Sequence, residues 1–386
     1  TIRDNTVWDN KGPLVDYNLD TPLVLVYDFD ATFYLLDNDV RRAGSTVFKN
    51  YGNITVKGNT FTECVGWVLV LENLEQQRPY LANNTFLRCG NAIYIGTKPS
   101  APSETLMWMD NNNIDSNGTA IYLHFMKVTM RTTTITSGTG KAVIADISKV
   151  DAYDCDFDAD ACEVIVDGYI KMWYWVEAWV FWASKEGVGT TNPVVGGSVT
   201  FFDQYDVESL VVLPDDTGHV VPTEVMAWHI IHSVSPVMKS PYTITVNFSS
   251  FSTSTELSID RSYKGEDALT LLLWDPEDPL VSIERPEHMS AHNTLDLEVT
   301  GFATDRASGV HLLTVQVDDG VRHNVTDIEE DGSYYHLLLE VPEGLHVLTV
   351  TLYDAGLNLM VVTVTVEVDR TPPRLVVTHP SGELHT

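Results

Sequence analysis

Five aspartates fall within ten residues, Asp151, Asp154, Asp156, Asp158 and Asp160, and form the densest set of side chains able to do chemistry. If Phe157 points inward along a strand, Asp156 and Asp158 point out together, which makes Asp154, Asp156, Asp158 and Asp160 a candidate Ca2+ site. The segment lacks the glycine and terminal glutamate of an EF-hand loop, and a solvated acidic face accounts for the same residues. Catalysis asks for more. Glycoside hydrolysis needs two opposed carboxylates, and a lyase needs a basic residue beside a substrate carboxylate, often with Ca2+ present. No Lys or Arg cluster accompanies these aspartates. A second acidic group, Asp275, Glu277, Asp278 and Asp305, could hold Ca2+ between domains; turns and caps use such residues as well. His124 and Lys127 follow a strand-like run, but a lone His is usually structural. No His or Cys set is read as a copper or zinc site. No catalytic residue is assigned.

The four cysteines and the sequons speak to location. Cys64 and Cys89 each lie five residues after a recurring Asn. On adjacent coils ~4.8 Å apart they would be within disulfide range, and two stacked buried thiols fit equally. Cys155 and Cys162 share one coil and are a second candidate pair. Asn-x-Ser/Thr occurs at Asn53, Asn83, Asn117, Asn247 and Asn324. Five such sites in a Thr-rich, acidic chain point to an exported glycoprotein, where disulfides persist. No signal peptide opens the chain, so it is expected to begin inside a longer precursor.

These residues must be positioned by a repeat. Asn-x-apolar recurs at Asn5, Asn38, Asn59, Asn84 and Asn112, with degenerate copies at Thr133 and Cys155, spaced by 33, 21, 25, 28, 21 and 22 residues. Periods of this length with strand-like copies mean a solenoid. After each copy comes a strand, as at Val47, Val68, Ile93, Ile121, Val143 and Val164, which would stack in one internal column. The outward neighbours then read Val15, Phe48, Leu69, Tyr94, Tyr122, Ile144 and Ile165, an apolar stripe too continuous to leave wet. It is expected to be a packing interface. An Asn at each turn tolerates left-handed backbone and can bond the Asn one coil away. Residues 1–168 resemble the right-handed parallel β-helix of pectate-lyase-like proteins and of periplasmic copper-maturation proteins.

Beyond 168 the pattern changes. In the 386-residue chain, Ile170–Trp182 is the longest apolar run. It is too short for a membrane span and carries Lys171 and Glu177, so it reads as a buried strand. The stretches Asn192–Thr200 and Asp216–Val220 resemble the carboxypeptidase-regulatory, transthyretin-like β-sandwich, placed at 169–274. Asp275 to Pro286 parallels Asp369 to Pro380 at an offset of 94 residues, about one immunoglobulin-like domain. Ala303–Val310 and Tyr353–Asn358 resemble turns of bacterial and archaeal Ig-like repeats, so residues 275–369 are read as an Ig-like sandwich. Residues 370–386 would open a further copy.

The expected fold class is all-β: a right-handed parallel β-helix followed by two β-sandwich domains. Acidic residues outnumber basic ones 54 to 23, for a net charge of −31, which repels nucleic acid and anionic membranes. The expectation is a non-enzymatic structural or adhesive extracellular protein, the subunit of a cell-surface layer, stalk or filament. Its partners would be copies of itself, other surface proteins or glycans, with membrane attachment only through segments outside this chain. Ca2+ is the one cofactor considered. The rival reading is a polysaccharide lyase or hydrolase, or a glycan-binding adhesin, with accessory Ig-like domains.

Overall fold

The computed structural model describes residues 2–3, 6–8, 24–26, 32–44, 46–49, 53–72, 78–97, 105–232, 234–259, 263, 268–294, 296–372, 374 and 376. Its first part is a parallel β-solenoid of about six turns, in which each coil gives one strand to each of three sheets. The first sheet includes Phe33–Leu36, Ile54–Lys57, Tyr80–Ala82, Thr105–Asp110, Met126–Arg131 and Lys149–Tyr153. The second runs from Thr6–Trp8 to Thr134–Ser137, and the third from Val24–Val26 to Cys162–Val164. Every neighbouring pair within these stacks is parallel, so like residues lie over like: Phe61 pairs with Phe86, and their buried rings stack at 4.9 Å.

The recurring Asn holds the corner between the first and second sheets. Asn38 donates from Nδ2 to Asn59 Oδ1 at 2.8 Å, Asn59 to Asn84 at 3.0 Å, and Asn84 to Asn112 at 3.0 Å. Each Oδ1 also accepts the backbone N–H of the preceding Asn, and the second amide proton reaches a carbonyl, as from Asn84 to Val56 O at 2.9 Å. Thr133 and Cys155 extend the column. The left-handed backbone sits one residue earlier than the ladder, at Asp37, Gly58, Asn83, Asn111, Thr132 and Asp154. This residue turns the chain, and the following Asn is free to point inward.

The solenoid does not end at a linker. The strand Tyr169–Ala183 lies parallel to Lys149–Tyr153 in the first sheet, then continues as the antiparallel partner of His219–Ile231 and the parallel partner of Leu269–Trp274. Its inward side chains, Ile170, Met172, Tyr174, Val176, Ala178, Val180 and Trp182, are all buried. An antiparallel four-stranded sheet, from Glu208–Val212 to Phe251–Leu257, contributes Val199, Phe201, Ile244 and Val246 to the same core. One hydrophobic core therefore runs from Leu35 to Leu273. The strand His219–Ile231, of 13 residues, had no counterpart in the sequence reading.

The last part has its own core, from Leu297 to Val368. A three-stranded sheet (Leu280–Val281, Leu297–Thr304, Ser333–Leu338) faces a five-stranded one containing Gly344–Asp354 and Leu359–Val368. The protein is thus all-β, with antiparallel sandwiches following the solenoid. No described helix is long and apolar enough to cross a membrane.

Candidate functional site

The outward stripe of the third sheet differs from its sequence expectation. Leu69 is 0% exposed and pairs with Ile93, so it belongs to the core; Val70 is the residue beside Tyr94. The run Val68-Leu69-Val70-Leu71 is apolar throughout, and nothing in its local pattern sets its phase. At the other end Glu163, not Ile165, lies beside Ile144. By backbone register Phe48 aligns with Leu71, away from the Val70 row; Val15 lies outside the described residues. The column is therefore Val70, Tyr94, Tyr122, Ile144 and Glu163. Tyr94 and Tyr122 stack at 5.4 Å, with Trp67 edge-on to both. Tyr122 donates to Asp146 at 3.1 Å, and His124 Nδ1 lies 2.8 Å from the same carboxylate. Burial and then Asp146 push the Tyr122 hydroxyl up to about 12. These rings largely satisfy one another.

The aspartates of the last coil do not converge. Asp154 accepts from the Trp175 backbone N–H, Asp156 bridges to Thr134, and Asp158 caps the short turn at Asp160. None belongs to the one carboxylate group compact enough for a metal among the described residues, so the structure does not bring the expected set Asp154, Asp156, Asp158 and Asp160 together. Asp154 turns the corner, Asp158 caps the short turn, and Asp156 joins the ladder through its backbone. The four cysteines are buried free thiols. Cys64 and Cys89 stack at the second corner, where Cys64 and burial push the Cys89 thiol up; burial pushes Cys155 and Cys162 up to about 12. Of the sequons, Asn53, Asn83, Asn117 and Asn324 are exposed and Asn247 is half-buried.

The compact carboxylate group is Asp275, Asp305 and Asp354, with oxygens within 4.8 Å of one another. Asp275 and Asp354 are 0% exposed. The trio sits where the last sandwich meets the middle module. Asp275 N–H donates to Ala183 O at 2.9 Å, and Asn358 Nδ2 reaches Asp275 O at 3.1 Å. Asn358 Oδ1 accepts from the Lys185 backbone at 3.0 Å, while Lys185 Nζ pairs with Asp278 at 2.6 Å. Backbone N–H groups reach each carboxylate: Ser308 to Asp275, Gly309 to Asp305 and Asn358 to Asp354. Burial, with Asp275 and Asp305 nearby, pushes the Asp354 carboxyl up to about 6; burial also raises Asp305. Three hard oxygen donors at this spacing suit Ca2+. Asp275 and Asp305 were in the second acidic group of the sequence. Asp354 was missed, although its Tyr353–Gly356 turn was conspicuous.

The outer face of Tyr169–Ala183 was also missed. It presents Tyr169, Lys171, Trp173, Trp175, Glu177, Trp179 and Phe181 in strict alternation with the core residues. Trp175 is 38% exposed, and Trp274 on the neighbouring strand is 59% exposed. Tyr153 packs against Trp173 and Trp175 at 6.4 and 6.3 Å; His219 lies over Trp179 and bonds Glu177 at 2.6 Å. The apolar run is buried on one face only, and the period of two was readable in it.

No family model matches the chain. No curated protein matches it either. Among solved structures, fibronectin(III)-like modules of CbhA from Clostridium thermocellum are 18% identical, covering 53% of this chain and 96% of theirs at a TM-score of 0.25. An endo-beta-1,4-mannanase from Thermotoga petrophila is 20% identical over 25% of this chain and 21% of its own, at a TM-score of 0.22. Dimeric latent PorU from Porphyromonas gingivalis is 12% identical over 52% of this chain and 23% of its own, also at 0.22. With TM-scores of 0.25 or less, these likenesses decide neither the fold nor the activity.

Proposed function

We propose that the protein is a non-enzymatic structural or adhesive component of an extracellular layer, stalk or filament. The observation that carries this reading is the strand Tyr169–Ala183, which joins solenoid and middle module through one sheet and one core. A shared core resists bending far better than a linker. The same strand bears an aromatic outer face with Trp175 exposed, and the neighbouring strand Leu269–Trp274 adds the exposed Trp274. Aromatic residues are enriched where proteins meet partners. We read the middle module as carboxypeptidase-regulatory-like, the last as Ig-like, and the exposed sequons as glycosylation sites on a surface glycoprotein.

The test is direct. The full chain, viewed by electron microscopy and followed by sedimentation across a concentration series, should form ordered assemblies. Trp175→Glu combined with Trp274→Glu should abolish them while leaving the melting curve in place. Monomers at every concentration, or oligosaccharide release from polysaccharides by the purified chain, would overturn the reading.

A further inference from the structure

Charge is segregated along the chain. The whole carries −31, and residues 275–369 alone hold 19 acidic residues against Arg285, Arg306 and Arg322, a net charge of −16. The outward face of the first sheet is the opposite. Between Phe33 and Trp173 its outward positions carry Lys57, Lys127, Arg131, Lys149 and Lys171, against the carboxylates Asp110 and Asp151. Register sets Lys127 beside Lys149, one strand spacing of ~4.8 Å away, where like charges repel. Lys57, Lys127 and Arg131 are exposed and enter no ion pair among the described residues. Tyr80, Trp108 and Tyr153 lie half-buried among these cations.

The acidic counterpart is the tip of the last sandwich that points away from the joint. Leu297–Thr304, Val310–Val317 and Gly344–Asp354 each have one end at Asp275, Asp305 and Asp354. Their other ends carry Asp296, Asp318, Asp319 and Glu343, with Glu340 beside Asp296, whose carboxylate accepts the Glu340 backbone N–H at 3.4 Å. All five are exposed. Arg370 offsets Glu343 and His346 faces Asp318, whereas Asp296, Asp319 and Glu340 enter no ion pair among the described residues.

We propose that the basic outer face of the first sheet receives the acidic tip of a second copy's last sandwich, so that chains join head to tail. The contact rests on the reading of the protein as a self-assembling component, and its partner is another copy of the same chain. One exposed ion pair contributes little, but several cations facing several carboxylates steer a partner and fix its register. Face and tip are different surfaces of one chain, so the contact is heterologous and propagates into an open filament when its rotation does not close. The rings among the cations supply apolar contact area, and the same sheet continues into the Trp173 and Trp175 face through Tyr169–Ala183.

The experiment is sedimentation of the full chain across a sodium chloride series. Association should be strong at about 0.05 M and lost near about 1 M, where the screening length falls to about 3 Å. Lys127→Glu with Arg131→Glu should weaken it at least about tenfold, as should Asp319→Lys with Glu340→Lys, with the melting midpoint unchanged in both variants. Mixed in equal amounts, the two variants should associate again, because each reversed surface meets its complement on the other chain. Parent assemblies that ignore salt, variants that assemble like the parent, or a mixture that stays dissociated would each overturn the proposal and leave self-assembly itself standing. A parent that stays monomeric at every salt concentration overturns both. Retention of that monomer on an anionic polysaccharide column would assign the face to a polyanion instead.

Discussion

The protein buries two polar arrays that handle the same problem in opposite ways. In the solenoid, Asn38, Asn59, Asn84 and Asn112 form a column in which each amide both donates and accepts. At the module joint, Asp275, Asp305 and Asp354 face one another with oxygens alone. An amide carries its own complement, so identical residues can satisfy one another without limit. A carboxylate only accepts when ionised, and its neighbours here are also acceptors. Backbone N–H groups and the Asn358 side-chain amide, which donates to Asp354 at 3.0 Å, meet part of the need; the remainder falls to a proton or a cation from solution. The solenoid corner is therefore self-contained, and the joint is open to its medium.

The sharpest way to break this contrast is at the centre of the ladder. Asn84→Leu removes both the side-chain donor to Asn112 and the acceptor for Asn59, leaving the buried Asn59 amide and Asn112 Oδ1 without those partners. It should cost about 3–5 kcal/mol in urea unfolding; a loss under about 1 kcal/mol would show the column to be dispensable. At the joint, Gly356 is held by close approach. An added Cβ would lie 3.0 Å from Asp275 Cβ and 3.1 Å from Ala183 O. Gly356→Ala should cost about 1–3 kcal/mol, seen first as faster proteolysis between the modules.

The carboxylates should then respond to solution where the ladder does not. Asp354 has a folded-state pKa of about 6, above the ordinary 3.8. The folded state holds this proton more tightly, so the group's penalty is absent below pH 3.8, grows up to about pH 6 and stays constant above. In chelator, thermal melts should show stability falling as pH rises through this window. Asp354→Asn should remove the fall and raise the midpoint at neutral pH, whereas Ca2+ should raise the midpoint of the parent and not of the variant. A flat parent profile with no calcium response would break the contrast. The smallest effect is expected on the third sheet: Tyr122→Phe loses one half-buried bond to Asp146 and should cost about 0.5–1 kcal/mol.

How far each array could be read from sequence follows from its range of contact. The ladder is written at short, repeated intervals, and its Asn residues announce both the coil and the corner. The αL position was attributed to the ladder Asn itself, whereas it belongs to the preceding residue, such as Asn83 or Asp37. Register failed at Leu69, where Val68 to Leu71 are uniformly apolar, and at Ile165, where Cys162 pairs with Val143 and the last coil returns early. The trio at Asp275, Asp305 and Asp354 joins strand ends from distant places in the chain. Only the finished pairing of sheets brings them together, and no local spacing encodes it.

The identical corners have a consequence for length. Because the coils carrying Asn38, Asn59, Asn84 and Asn112 each offer the next the same left-handed turn and the same inward amide, none of them depends on its number in the stack. Deleting residues 84–111 would set Asn112 directly over Asn59 and shorten the rod by ~4.8 Å, with both ends of the splice chemically unchanged. Duplicating the same segment would lengthen it by one step. Such a chain can be resized in whole coils, like a rope cut or spliced at any turn, while the joint at Asp275 travels with the end.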